Sequence, residues 1–167
     1  VGLWVAGQRF FGSPGIDEAS AHPAVDLTSP DSREGALARA RWDEADARAL
    51  RAAASWLDGY FAGEAPSPAA VPLAPTGTDF QQRVWEAMDT IPYGATRTYG
   101  QIVTQLRGAG IPASAQSVGG AVGRNPLLLI RPCHRVVAAS GPGGYAAGGD
   151  AKAWLLAHEA ATASSVS

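Results

Sequence analysis

Cys133 is the chain's single cysteine, and it sits in Pro132-Cys133-His134-Arg135-Val136 beside one of three histidines. A lone cysteine forms no intrachain disulfide and no multi-cysteine metal site, which leaves a buried small hydrophobe or a nucleophile. A thiol attacks well once ionised, and that needs a base or a positive neighbour. His134 is adjacent in sequence, but adjacent side chains diverge on a helix and face opposite ways on a strand. A water bridging Cys133 and His134 therefore fits better than direct contact. A carboxylate would orient the imidazole and stabilise its charged form. Glu159 is the best candidate, on an apolar-faced last helix where an unpaired carboxylate would be costly. His158 is the competing imidazole. With one cysteine and three scattered histidines, no metal-ligand cluster is recognisable.

The elements that must carry these groups follow from periodicity and punctuation. Thr78-Asp79 caps a helix over Phe80–Asp89, with Phe80, Val84, Trp85 and Met88 at helical spacing. Thr98–Leu106 is a short helix with Tyr99, Ile102, Val103 and Leu106 on one face. After a Gly/Pro turn, Ser114–Arg124 forms a third helix. Two short helices joined by a Gly-containing turn are a helix-turn-helix candidate, with a longer turn than usual. Gly119-Gly120 inside the third helix costs about 1 kcal/mol per glycine relative to alanine. Close backbone approach to a phosphate backbone and helix–helix packing are both open explanations. Leu127–Ile130 reads as extended, and Lys152–Ala160 as the last helix, with a frayed tail from Ala161. Upstream, Val1–Phe11 reads as the end of a strand pair and residues 12–35 as loop. Ala36–Phe61, with Leu37, Trp42, Trp56 and Tyr60, reads as one or two helices. Four prolines in Ala65–Pro75 mark a linker. The predicted organisation is an N-terminal domain over 1–64, a linker over 65–75 and a C-terminal domain over 76–167. The chain opens on Val1 as though a strand were already under way, which predicts missing residues before it.

Composition bounds the class. The chain has 167 residues and 46% apolar content, enough for an ordinary core. It has no run near the roughly 20 apolar residues of a membrane helix and no visible signal peptide. A single free cysteine suits a reducing cytoplasm. Net charge is −2, which by itself argues weakly against nucleic acid. Its distribution is uneven. Residues 76–137 hold six arginines against three acids, a net +3, while residues 1–75 hold six against ten, a net −4. The basic part coincides with the motif-rich part, either as a solvated surface or as an anion-facing one.

The motifs together resemble the O6-alkylguanine-DNA alkyltransferases. Pro132–Val136 is similar to that family's active-site signature. Thr76–Trp85, Ile91-Pro92-Tyr93-Gly94, Thr98-Tyr99-Gly100, Val118–Ala121, Asn125-Pro126, Gly144-Tyr145 and Trp154–Glu159 fall in the family's order. The likeness is strong over about residues 76–160 and loose over 1–63. It implies an α+β protein: a small variable N-terminal α/β domain, expected to be truncated here, and a mainly helical C-terminal domain with the helix-turn-helix and the cysteine. It implies binding of duplex DNA through the minor groove, flipping of O6-alkylguanine, and irreversible transfer of its alkyl group to Cys133. By position, His134 is the base acting through water, Glu159 orients it, Asn125 braces the turn and Tyr99 donates a proton to the leaving guanine. Tyr145, Ala146, Val136, Lys152 and Val122 would surround the substrate. Gln116, Ser117, Gly119, Gly120, Ala121, Arg124 and Thr98 would meet DNA. No cofactor is implied, since the lesion is the alkyl donor, and a cytoplasmic monomer is expected.

Four positions depart from the family pattern. Gln116 stands where an arginine usually fills the gap left by the flipped base. Arg131 replaces an aliphatic residue before Pro132, and would be exposed, reach phosphate or sit in core. The turn between the two short helices is longer, and Ala147 replaces a glycine, so a methyl there would narrow the pocket or forbid a positive φ. The competing readings are a lesion sensor without chemistry, a cysteine hydrolase using Cys133, His134 and Glu159, and a plain helix-turn-helix regulator.

Overall fold

The computed structural model describes residues 44–163. The strand expected at Val1–Phe11, the loop over 12–35, the start of the Ala36–Phe61 helix with Leu37 and Trp42, and residues 164–167 lie outside the described residues. In chain order the described elements are α1 (Glu44–Phe61), a 3-10 turn (Pro68–Ala70), α2 (Asp79–Asp89), β1 (Arg97–Thr98), α3 (Tyr99–Gly108), α4 (Ala115–Gly123), a 3-10 turn (Cys133–Arg135), β2 (Val136–Val137) and α5 (Gly149–Ala163). The architecture is α+β. β1 and β2 pair in parallel, with Arg97 opposite Val136 and Thr98 opposite Val137.

Three helices start where their sequences place the cap. Thr78 accepts from the Gln81 amide while the Gln81 side chain accepts from Thr78 N. Thr98 and Gln101 repeat the arrangement at α3, and Ser114 and Ser117 at α4. Such reciprocal caps satisfy two otherwise orphaned donors and contribute about 1 kcal/mol each. α5 departs from expectation at both ends: it begins at Gly149 and continues to Ala163 instead of fraying from Ala161. Its last turn is packed. A methyl on Gly63 or on Gly94 would fall 2.8 Å from Thr162 Cγ2 or Ala163 Cβ, and both glycines have positive φ.

One further expectation is corrected. Leu127–Ile130 is a tight turn, not an extended segment: Ile130 N donates to Leu128 O at 2.8 Å and Arg131 N to Leu127 O at 2.9 Å. Leu129 takes φ +70°, which costs of order 1–2 kcal/mol for a residue with a Cβ. Residues 65–75, expected as a linker, make contacts of their own. Trp56 Nε1 donates to Pro66 O at 3.1 Å, Ser67 caps the 3-10 turn and Val71 is buried.

Apolar burial divides into two neighbouring clusters. One joins α2, α3 and α4 through Val84, Trp85, Met88, Ile102, Leu106, Val118 and Val122, and takes in Cys133 and Val136. The other joins α1, Val71, Ile130 and Leu155 around Trp56 and Tyr60. Tyr145 packs against both. The Cys133–Arg135 turn therefore lies at the seam. Among the described residues, no helix is long and apolar enough to cross a membrane.

Candidate active site

The turn that carries the cysteine is held from several directions. Arg135 N donates to Pro132 O at 3.0 Å, Val136 N to Cys133 O, and Cys133 N to Arg131 O at 2.8 Å. Buried Asn125 braces it. Asn125 Oδ1 accepts from Leu127 N at 3.1 Å, and Nδ2 approaches Arg131 O at 3.0 Å, Cys133 Sγ at 3.2 Å and Leu127 O at 3.3 Å. Two amide hydrogens shared among three acceptors fix the loop to the sulfur.

Burial pushes the Cys133 thiol up to about 11, opposed by the Asn125 hydrogen bond and the nearby Lys152 charge. The thiol is neutral at pH 7 and needs a base to react. His134, fully buried, sets Nε2 2.7 Å from Glu159 Oε1. Its Nδ1 is buried with no protein partner. Burial pushes the imidazole down, with Glu159 pulling the other way. The consistent tautomer keeps the proton on Nε2 toward Glu159 and leaves the Nδ1 lone pair to act as acceptor.

Glu159 accepts five hydrogen bonds. Oε1 accepts from His134, from Tyr60 Oη at 2.8 Å and from Arg135 Nη2 at 3.0 Å. Oε2 accepts from Arg135 Nε at 2.8 Å and from Gly94 N at 3.0 Å. Burial raises the carboxyl, but the His134 and Arg135 bonds outweigh it and hold the group at about 2. Tyr60, Arg135 and Gly94 escaped the sequence reading. Arg135 had a signal, as the basic residue inside the pentapeptide; Tyr60, 99 residues before Glu159, had none. The imidazole on Glu159 is that of His134; His158 meets the network only through Tyr60, with Nε2 2.9 Å from Tyr60 O and its ring stacked on Trp154 at 5.1 Å.

Cys133 opens onto a cavity of about 390 Å³, lined also by Tyr99, Gly119, Gly120, Val122, Gly123, Gly144, Tyr145 and Ala146. That lies within the roughly 300–1,000 Å³ of small-molecule sites. Burial raises the Tyr99 phenol, as does the nearby Cys133, so Tyr99 keeps its proton at neutral pH. Tyr145, raised mainly by burial, sets its ring 6.3 Å from His134. Lys152 is fully buried, and Nζ donates to Val136 O at 2.6 Å and Gly144 O at 3.1 Å. The Val136 carbonyl thus accepts from Lys152, and the Cys133 carbonyl accepts from Val136 N.

The residues expected to meet DNA separate into groups. Gly119 and Gly120 form cavity wall. The closest atom to a methyl on Gly119 would be Tyr99 Cε1 at 3.9 Å, and on Gly120 Arg124 Nη1 at 3.3 Å, so no packed helix demands these glycines. Gln116 is exposed on the first turn of α4. The Ser117 hydroxyl is bound into its helix cap. Ala121 is buried, with its carbonyl accepting from Trp85 Nε1 at 2.9 Å, so its side chain belongs to core and not to an outer face. Arg124 is exposed with Nη1 on Gly120 O, and Thr98 caps α3. Ala147 lacks the positive φ that would have made its methyl costly. Among the described residues, no group of three metal-ligating side chains occurs.

This geometry can be set beside known proteins. The model of the 6-O-methylguanine DNA methyltransferase DNA-binding domain matches residues 79–161. A methylated-DNA–protein-cysteine methyltransferase of Mycolicibacterium paratuberculosis is 46% identical over 136 residues, covering 81% of this chain and 76% of that protein. One from Methanosarcina acetivorans is 50% identical, covering 64% and 67%. The crystal structure of Mycobacterium tuberculosis OGT in complex with DNA superimposes with TM-score 0.61 at 48% identity, covering 66% of each chain.

Proposed function

The chain belongs to the methylated-DNA–protein-cysteine methyltransferase family, and from that premise we propose that it repairs O6-alkylguanine in duplex DNA by moving the alkyl group onto Cys133. One observation carries the assignment of roles: a neutral thiol on a cavity wall is followed in sequence by an imidazole with Nε2 committed to an anionic Glu159 and Nδ1 without a protein partner. The thiol proton passes to His134 Nδ1 through one water. The resulting imidazolium is stabilised by Glu159, which Arg135 keeps ionised. The Cys133 Sγ–carbon bond forms as the carbon–O6 bond breaks, and the electron pair left on the guanine is neutralised by a proton from Tyr99. The product is a thioether, whose carbon–sulfur bond water does not cleave under ordinary conditions, so each molecule acts once.

Access follows from α4. Gly119 and Gly120 let a flipped base approach between that helix and Tyr145, and the DNA of the similar Mycobacterium tuberculosis structure supports DNA as partner. Every group in this scheme comes from one chain, so the reading requires no partner subunit. The test is intact-mass spectrometry after mixing the protein with a duplex holding one O6-methylguanine. A single gain of about 14 Da on the Cys133 peptide, one methyl for one hydrogen, supports the reading. Lesion-selective binding without that gain would turn the assignment to a sensor.

A further inference from the structure

We infer that Arg131 is a positioning residue for the transfer, clamping the cysteine turn onto α2 and linking it to the DNA-facing helix α4; this rests on Cys133 being the acceptor. Arg131 has no role in the scheme above, yet its backbone lies at the centre of the turn. Its carbonyl accepts from both Asn125 Nδ2, at 3.0 Å, and Cys133 N, at 2.8 Å. Any shift of that carbonyl moves the brace and the nucleophile together. Its side chain, 12% exposed, runs inward to α2. The guanidinium lies over the Trp85 ring, 5.6 Å from its centroid, and Nη2 sits 3.5 Å from Asp89 Oδ2. Nε and Nη1 are buried with no hydrogen-bonding acceptor, which leaves the ring face as their principal attraction. Trp85 in turn donates to Ala121 O, between the cavity-lining residues Gly120 and Val122 of α4. A continuous path thus runs from α4 through Trp85 and Arg131 to Cys133.

A turn of this kind needs holding from two sides. Leu129 has φ +70°, so the loop is strained where it enters Ile130-Arg131. Asn125, just past the end of α4, holds it on one side, and Arg131 ties it to α2 on the other. A buried guanidinium is a poor choice for stability alone, since an apolar side chain of similar length often does as well or better. Asp89, whose side chain is 33% exposed, can be hydrated when its partner is removed. Arg131→Met should therefore leave thermal stability equal or higher while loosening the turn.

The experiment compares wild type, Arg131→Met and Arg131→Lys in single-turnover methyl transfer from an O6-methylguanine duplex, together with thermal midpoints and amide exchange at Cys133. Arg131→Met is expected to transfer about ten- to a hundredfold more slowly, as a displaced nucleophile does, without a lower midpoint. Arg131→Lys, which keeps a cation for Trp85 and Asp89, is expected to recover most of the rate. Transfer by Arg131→Met at the wild-type rate would overturn the inference. So would equal losses in both variants accompanied by lower midpoints, the mark of a merely structural residue. If wild type itself fails to transfer, the acceptor assignment falls, and exchange decides the clamp separately. Faster exchange of the Cys133 amide in Arg131→Met, reversed in Arg131→Lys, supports it; unchanged exchange refutes it.

Discussion

Cys133 is inert until something takes its proton, and its surroundings set the conditions for that. With the thiol pushed up to about 11, alkylation of Cys133 by iodoacetamide should rise about tenfold per pH unit through pH 8–10 and level off near 11, not near the ordinary 8.5. A plateau near 8.5 would mean that burial does not govern the thiol. His134 works in the opposite sense. Its pKa lies below the ordinary imidazole value, so the neutral base persists at pH 7, and methyl transfer should fall only at pH values below the ordinary imidazole range. Tyr60→Phe removes one donor from Glu159 Oε1 and nothing else of size. It should cost about 1.5–3 kcal/mol, the worth of a hydrogen bond to a charged group, as read by urea denaturation. Glu159→Gln leaves the buried Arg135 without its counter-charge, with only the Ile91 carbonyl and the Tyr93 ring, so about 3–5 kcal/mol should be lost along with transfer.

At the level of elements, the helices were readable and the loop between them was not. Thr78 with Gln81, and Thr98 with Gln101, announce α2 and α3 because a cap is a local matter settled within four residues. Leu127–Ile130 read as extended because its apolar run hides a backbone reversal at Leu129, and that reversal is held by the Asn125 side chain, not by any local preference of leucine. The prolines of 65–75 interrupt helix but say nothing of Val71 entering the second core. The glycines of α4 make a sharper prediction. Gly119→Leu would fill the cavity wall without meeting a packed neighbour closer than Tyr99, so the fold should persist while transfer from the duplex drops by at least about a hundredfold through exclusion of the base. Circular dichroism beside the mass-shift assay separates the two effects. Gln116→Arg on the same helix adds a planar cation on an exposed turn, and should raise the transfer rate from duplex DNA while leaving the rate from free O6-methylguanine base unchanged.

Across the whole molecule, two cores meet at one ionised carboxylate. Glu159 has a folded pKa below its unfolded one, so its contribution is complete above the ordinary carboxylate range and is lost as pH falls from there toward about 2. The thermal midpoint should decline over that window, and Glu159→Gln should flatten the decline. The pentapeptide made the chemistry legible because its residues are neighbours; the convergence on Glu159 stayed hidden because Tyr60, Gly94, Arg135 and Glu159 come from four separate stretches of chain. The Tyr60 contact also bears on how the molecule can be cut. The family match begins at residue 79, and a gene trimmed there would keep every residue of the reacting apparatus. It would also lose α1, exposing Ile130 and Leu155 to solvent and leaving Oε1 one donor short. The smallest autonomous repair unit is thus longer than the signature that identifies it, and minimisation or grafting of this domain must begin before Trp56.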